Sequence, residues 1–115
     1  MILAMTRAKA HPRKRRELLQ TFLSLLGPIR KEKGCLGSHF CQSIEDENDF
    51  ILVEEWKTQV DFENHIRSEE FRVLHGALNV LCLPLETRMN VFSGAERHKA
   101  MEQALNGLVG RDSAV

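Results

Sequence analysis

The chain has 115 residues, of which 43% are hydrophobic and 28% are charged, and this composition is typical of one ordinary globular domain. Its 16 basic residues balance its 16 acidic residues, so the absence of net charge argues against nucleic acid or an anionic membrane as a partner. No apolar run reaches the roughly 18 residues of a membrane span and no secretory signal is recognisable, which predicts a cytoplasmic protein.

A strand and a long helix are predicted for the first third of the chain. Residues 2–10 alternate as in a β-strand, with Thr6 on the face opposite to Arg7. From residue 13 the apolar spacing changes to threes and fours, which predicts an amphipathic helix that ends near Lys33. Pro28 is expected to kink or restart this helix, and Gly34 to cap it in a left-handed conformation.

A β-hairpin is predicted for the middle of the chain. Residues 36–44 and 50–57 alternate as two strands around the acidic turn EDEND. In the second strand Glu54 and Trp56 share one face. If helices cover that face, the carboxylate of Glu54 must be paired or must shift toward the neutral acid.

Two short helices and a last strand follow the hairpin. Thr58 and Ser68 are expected to cap these helices at their N-termini, because each precedes acidic residues and an apolar helical pattern. Pro84 marks the exit from the second helix, and residues 85–92 then alternate as a fourth strand. A final helix is predicted for residues 95–109.

The order strand, helix, strand, strand, helix, strand predicts a split βαβ, ferredoxin-like α+β fold. We expect a four-stranded antiparallel sheet with helices on one face. Several strands are apolar on both faces, so the second face also needs cover, which predicts a homodimer packed sheet to sheet. Residues 1–93 are expected to form this domain, and residues 94–115 a C-terminal helical extension.

Two stretches, GPIRKEKGCLGSHF and ILVEEWKTQVDFENHIRSEEF, resemble a known family. The positions that carry the resemblance are, in chain order, Gly34, Cys35, Glu54, Trp56, His65 and Phe71. Over about residues 2–93 the chain resembles the antibiotic biosynthesis monooxygenase (ABM) family, a group of dimeric α+β barrels that includes quinol monooxygenases. The resemblance implies an ABM-type oxygenase with a small aromatic substrate, O2 as co-substrate and no cofactor.

His65 and His75 are the candidate catalytic bases, and Glu54 is a further candidate proton acceptor. An electron-rich dihydroxyaromatic that loses a phenolic proton can reduce oxygen directly, which calls for a base titrating near neutrality in a dry pocket between the sheet and the helices. Ten residues separate the two histidines, which is not a metal-ligand spacing on one helix, so no metal is predicted. The candidate substrate-binding residues are Thr6, Arg7, His39, Phe40, Trp56, Phe62, Phe71 and Leu78.

Two alternative functions stay open. Haem-degrading relatives resemble the chain around the same segment, and their iron-ligating histidine aligns with His75, which implies a haem- or tetrapyrrole-binding module. Their catalytic tryptophan and asparagine fall at His65 and Thr6, so two of three positions depart from haem degradation. The second alternative is a non-catalytic dimeric binding domain whose cavity is filled by its own side chains.

The candidate bases also have purely structural interpretations. His65 would then be a half-exposed histidine bonded to a backbone carbonyl, to Glu55 or to Glu69. Glu54 would be the buried partner of a basic residue such as Arg7.

Overall fold

Four strands and three helices make up the part of the chain that this computed structural model describes, residues 1–93. The strands are β1 (Ile2–Lys9), β2 (Cys35–Gln42), β3 (Asp49–Trp56) and β4 (Arg88–Ser93). The helices are α1 (Arg15–Arg30), α2 (Gln59–Ile66) and α3 (Glu69–Leu81). Short 3-10 helices at Pro12–Lys14 and Pro84–Glu86 precede α1 and β4.

The strands form one antiparallel sheet in the order β2-β3-β1-β4. Helices α1, α2 and α3 cover one face of it, so the predicted ferredoxin-like α+β fold is confirmed. Alternate residues of the two central strands are buried beneath the helices, as the two-residue period of a strand requires. In the covered row at the middle of the sheet, Glu54 lies opposite Ala4 on one side and Ser38 on the other.

Helix α1 buries the apolar stripe that its sequence predicts. Leu18, Phe22 and Ile29 are among its buried residues. The helix runs through Pro28 without a restart and ends at Arg30, three residues before the predicted end. Pro28 lies in the last turn, so only a bond near the helix end loses its donor.

Gly34 and the two helix caps have the predicted conformations. Gly34 has a φ of 82°, the left-handed region that favours glycine. A Cβ atom at this position would collide with the side chain of Asp61, so α2 packs directly on the Gly34 backbone. Thr58 accepts a hydrogen bond from the Asp61 amide at 3.1 Å, and Ser68 accepts one from the Phe71 amide at 3.1 Å.

The fourth strand begins later than predicted. Pro84 starts a 3-10 turn instead of leading into a strand, because its ring fixes φ and removes an amide donor. The Thr87 hydroxyl donates to the Leu83 carbonyl at 2.8 Å and closes that turn, so β4 starts only at Arg88. The helix predicted for residues 95–109 lies outside the described residues.

The face of the sheet away from the helices, called here the outer sheet face, carries half-buried apolar side chains. They are Leu3, Met5, Ile51, Val53 and Phe92. The predicted apolar character of the second face is therefore present in the structure. Within residues 1–93, no helix has both the length and the apolar character needed to cross a membrane.

Candidate active site

His65 lies in the core between two carboxylates, one at each ring nitrogen. Nδ1 donates to the Glu32 carboxylate, 3.0 Å from Oε2 and 3.1 Å from Oε1. Nε2 lies 3.0 Å from Oε2 of Glu54. His65 belongs to α2, Glu54 to β3, and Glu32 to the turn after α1, so three separate elements meet here. We call this cluster the Glu32–His65–Glu54 trio.

The two carboxylates of the trio differ in their surroundings. The Glu54 side chain is 0% exposed, whereas that of Glu32 keeps 17% of its surface in solvent. The contact between His65 and Glu54 is close but lacks the alignment of a hydrogen bond, and both Glu54 oxygens have no aligned donor within the described residues. The imidazole also stacks on Trp56, with ring centroids 4.3 Å apart.

The electrostatics of the trio favour a protonated His65. Burial disfavours its charge and is the largest single influence, but the carboxylates of Glu54 and Glu32 together outweigh burial and raise the pKa of His65. Burial also raises the pKa of Glu32, against the opposing effect of His65. An imidazole that already holds its proton is a poor acceptor for a substrate proton. His65 is therefore a poor candidate for a general base.

A pocket of about 270 Å³ opens between α3 and the strands β1 and β4. We call it the α3 pocket. Its lining residues are Thr6, Phe71, Leu74, His75, Leu78, Asn79, Pro84, Thr87, Arg88 and Met89. Apolar walls with a few polar groups are typical of small-molecule sites, and the volume suits a molecule of one or two rings.

His75 is the histidine that lines the α3 pocket. It is exposed, and its ring lies nearly parallel to that of Phe71, with centroids 6.2 Å apart and an angle of 20°. The amide nitrogen of Asn79, one helical turn on, lies 3.5 Å from Nδ1, a long contact that holds the ring loosely. His75 therefore combines access to the pocket with few fixed partners.

Phe71 separates the two histidines. It lines the α3 pocket, and its ring meets the His65 ring edge-on at 5.5 Å. His65 is not among the lining residues, so the pocket does not join the two imidazoles. The structure instead divides the predicted site into the Glu32–His65–Glu54 trio and the α3 pocket.

Four predicted site residues line the α3 pocket: Thr6, Phe71, His75 and Leu78. The other predicted wall residues lie in the core. Trp56 packs on His65, Phe62 is buried, and Phe40 stacks between Phe22 and Phe50. Aromatic rings on a covered sheet face fill the core by default, and the strand pattern does not separate core from pocket.

Arg7 and His39 are not brought to the α3 pocket. Both are exposed on the outer sheet face, because the two-residue period of β1 places Arg7 opposite to Thr6. Arg7 pairs with Asp49 at 2.9 Å rather than with Glu54. The structural interpretation of His65 is also wrong in detail, since the residue is 1% exposed and binds Glu32 and Glu54.

Glu32 is the residue of the trio that sequence reasoning missed. It stands 33 positions before His65 in a turn with a charged composition, and nothing in its local pattern distinguishes it from its neighbours Lys31 and Lys33. A histidine that packs against a glutamate on the covered face of the sheet would have been the signal for a further charged partner. Asn79 and Met89 of the α3 pocket were missed as well.

Comparison with known proteins places this architecture in a family. A family model described as antibiotic biosynthesis monooxygenase matches residues 1–77. The chain belongs to this family. The curated protein named "Putative monooxygenase YcnE" from Bacillus subtilis (strain 168) is 29% identical over 72 residues, which cover 63% of this chain and 76% of YcnE.

Solved structures share the fold of this chain. A conserved protein from Methanosarcina mazei Go1 is 30% identical, with a TM-score of 0.72 over 79% of this chain and 89% of that chain. Rv0793 from Mycobacterium tuberculosis has a TM-score of 0.74 at 17% identity, covering 80% of this chain and 92% of that one. At that identity the second likeness supports the fold alone.

Proposed function

We propose that this ABM-family protein is a cofactor-independent monooxygenase that oxidises a small, electron-rich aromatic in the α3 pocket, with His75 as the general base. The observation that carries the proposal is the position of an accessible histidine at a mainly apolar pocket of about 270 Å³. The monooxygenase character of the family gives the reaction class. The apolar lining of the pocket supports a small aromatic as the substrate, and the contrast between the two histidines supports His75 as the base.

The α3 pocket suits a planar ring with a hydroxyl group. Phe71, Leu74 and Leu78 give it apolar walls on the helix side. An apolar wall keeps water away from the reacting anion and strengthens its interaction with a nearby imidazolium. Thr6 and Asn79 are polar groups on the same lining, where a second substrate hydroxyl can bond.

The proposed reaction balances without an external reductant. His75 removes a phenolic proton from a hydroquinone, and the resulting anion gives electrons to O2. One oxygen atom replaces a ring hydrogen, the other leaves as water, and the hydroquinone becomes a hydroxyquinone. The substrate supplies all four electrons, and the base returns its proton when water forms.

His75 fits the role of base better than His65 because of what each ring already binds. Both nitrogens of His65 face carboxylates at 3.0 Å, and the residue is 1% exposed. His75 is exposed and has one long contact, with Asn79. A base must reach its substrate before its pKa matters, and only His75 of the two lines the α3 pocket.

Oxygen uptake with a panel of hydroquinones and dihydroxynaphthalenes tests the proposal. We expect turnover with at least one member and strong loss in Leu78→Phe, which adds bulk to the pocket lining. Val73→Phe is the matched control, because Val73 lies on the same helix, is 45% exposed and does not line the pocket. Equal activity of Leu78→Phe and the wild type would place the substrate elsewhere.

Haem binding through His75 is the competing use of the same pocket. A volume of about 270 Å³ favours a one- or two-ring molecule over a tetrapyrrole. Titration with haemin separates the two readings. A Soret band that is present in the wild type and lost in His75→Ala would favour the haem-binding module, and hydroquinone turnover without added haem would favour the monooxygenase.

The protein is also proposed to act as a homodimer joined through the outer sheet face. Leu3, Met5 and Val53 are half-buried apolar residues at the centre of that face, and a second copy would complete their burial. Sedimentation analysis is expected to give a dimer for the wild type and a monomer for Val53→Glu. A monomeric wild type would contradict this part of the proposal.

A further inference from the structure

We propose that the Glu32–His65–Glu54 trio is a proton relay, which carries one proton between solvent and the buried sheet face behind the α3 pocket. His65 and Glu32 are thereby positioning residues that act through Glu54. The inference rests on the proposed function for the reaction it serves, because oxidation of a hydroquinone passes two protons to the water that forms: His75 carries one, and the relay carries the other. The relay itself rests on the geometry of the trio.

The trio lines up three proton-carrying groups, with an aligned hydrogen bond between His65 and Glu32 and a close contact that is not an aligned hydrogen bond between His65 and Glu54. Each ring nitrogen of His65 lies 3.0 Å from a carboxylate oxygen, which is within the range for proton transfer between a nitrogen and an oxygen. The outer carboxylate reaches solvent, since Glu32 keeps 17% of its side-chain surface exposed, and the inner carboxylate, Glu54, is fully buried. The line therefore has a solvent-exposed end at Glu32 and a fully buried end at Glu54, which we call the dry end.

The dry end lies on the same sheet face as the floor of the α3 pocket. Glu54 and Thr6 are on the adjacent strands β3 and β1, with Thr6 two positions along from the residue opposite Glu54. Thr6 lines the pocket, is 1% exposed, and its hydroxyl has no hydrogen-bond partner within the described residues. Both Glu54 oxygens share this lack of an aligned partner. Buried polar groups of this kind normally bind something polar, so the floor of the pocket is suited to pass a proton onward.

The proton movement balances at every step. The ring starts protonated, with both carboxylates ionised, and gives its Nε2 proton to Glu54. One N–H bond breaks and one O–H bond forms, and the neutral ring keeps its Nδ1 proton on the Glu32 side. The reverse sequence returns the proton in the second half of the turnover, and the ring does not need to rotate.

Other charged or titratable groups near the trio come from each packed element. They are Glu70 on α3, Cys35 on β2 and Arg30 on α1. Glu70 raises the pKa of Glu32, and for Cys35 burial, Glu54 and Glu32 raise the pKa of the thiol while Arg30 lowers it. None of them approaches the His65 ring as closely as the two carboxylates at 3.0 Å, so the relay is assigned to these three residues alone.

Nitrogen-15 NMR of the His65 ring in the full chain tests the relay without any substrate. In the wild type, the Nδ1 proton is expected to exchange rapidly with water although the residue is 1% exposed. In Glu32→Gln, which keeps the shape but cannot carry a proton, the exchange should slow by about tenfold or more. Glu63→Gln is the matched control, since Glu63 is exposed on the same helix as His65. Slow exchange in the wild type, or equal exchange in Glu32→Gln, overturns the relay.

A second arm measures turnover with the hydroquinone panel. Glu32→Ala is expected to lower kcat by about tenfold or more with little change in KM, and added acetate should restore kcat by replacing the missing carboxyl group. A structural role for Glu32 would not give rescue by acetate, so loss without rescue contradicts the relay. An inactive wild type would instead overturn the proposed function, while the exchange experiment would still decide whether the relay exists.

Discussion

His65 and His75 stand ten residues apart on consecutive helices, yet the fold gives them opposite environments. His65 is buried against Trp56 and held between Glu32 and Glu54. His75 is exposed at the α3 pocket beside Phe71 and has one long contact. The first histidine is therefore enclosed by two carboxylates, and the second is accessible from the α3 pocket.

This contrast shows why residue type and family position do not assign a role. Burial and nearby charges move the pKa of a histidine across neutral pH in either direction. Both influences come from residues that can lie far away in the chain. For His65 one of the two carboxylate partners, Glu32, comes 33 positions earlier. The same side chain is thus buried between two carboxylates in one place and exposed at a pocket in the other.

The largest expected effect is on turnover when the accessible histidine is removed. His75→Ala should lower kcat on the best hydroquinone by about 10²–10⁴-fold, the usual contribution of a positioned base. Because His75 is exposed, its free energy of unfolding should change by less than about 0.5 kcal/mol. Arg72→Ala, exposed on the same helix, is the control. Wild-type turnover in His75→Ala would remove His75 from the mechanism.

The buried histidine should show the opposite profile. His65→Ala is expected to reduce the free energy of unfolding by roughly 3–5 kcal/mol, because it leaves the fully buried Glu54 without its cationic partner. Urea denaturation followed by circular dichroism measures this loss. The double variant His65→Leu/Glu54→Leu removes both charges together and should recover much of the stability. A loss of less than about 1 kcal/mol in His65→Ala would show that the pair is not a true buried ion pair.

The pH dependence of stability should distinguish the two histidines more finely. The pKa of His65 is raised above its ordinary value of 6.5. Its contribution to the free energy of unfolding is therefore complete below pH 6.5 and is lost as the pH rises through the pKa of the folded state. The pKa of Glu32 is also raised, so Glu32 lowers the free energy of unfolding in the same direction. This loss begins as the pH rises above the ordinary Glu pKa of 4.5. Above pH 6.5 the free energy of unfolding of the wild type should therefore fall more steeply than that of His65→Gln, by about 1.4 kcal/mol for each unit of raised pKa. Parallel curves would contradict the assignment.

The smallest expected signal is optical. Trp56 is the single tryptophan of the chain and stacks on His65 at 4.3 Å. A protonated imidazole quenches an indole in contact more strongly than a neutral one, so emission should rise as the pH passes the folded pKa of His65. The step should be absent in His65→Gln and unchanged in His75→Ala. A step that follows His75 would mean that the two rings are coupled through Phe71.

Much of the fold could be predicted because its signals are local. The alternation in β1 and β3, the stripe of α1, the caps at Thr58 and Ser68 and the left-handed Gly34 each depend on a few neighbouring residues. The start of β4 could not be predicted in the same way. Alternation continued back to residue 85, and the competing 3-10 turn depends on the Thr87 bond to Leu83.

The candidate site could be predicted only in part. The pattern placed Glu54 and Trp56 on the covered face, and the family resemblance selected both histidines. Whether a covered residue borders a cavity or fills the core depends on packing between elements, which is why Phe40 and Phe62 were expected as pocket walls and lie in the core. The partner of Glu54 was sought among arginines of neighbouring strands, but the helix layer supplies it.

The residue at the position of Gly34 also predicts whether a family member can keep the contact between Glu32 and His65. Asp61 of α2 occupies the space that a Cβ at this position would need, and Glu32 stands only two residues earlier. A relative with any larger residue here would have to displace the start of α2, and with it His65, from the Glu32 turn. Loss of this glycine in a family member therefore forecasts loss of the outer carboxylate contact, even where glutamate and histidine are both retained.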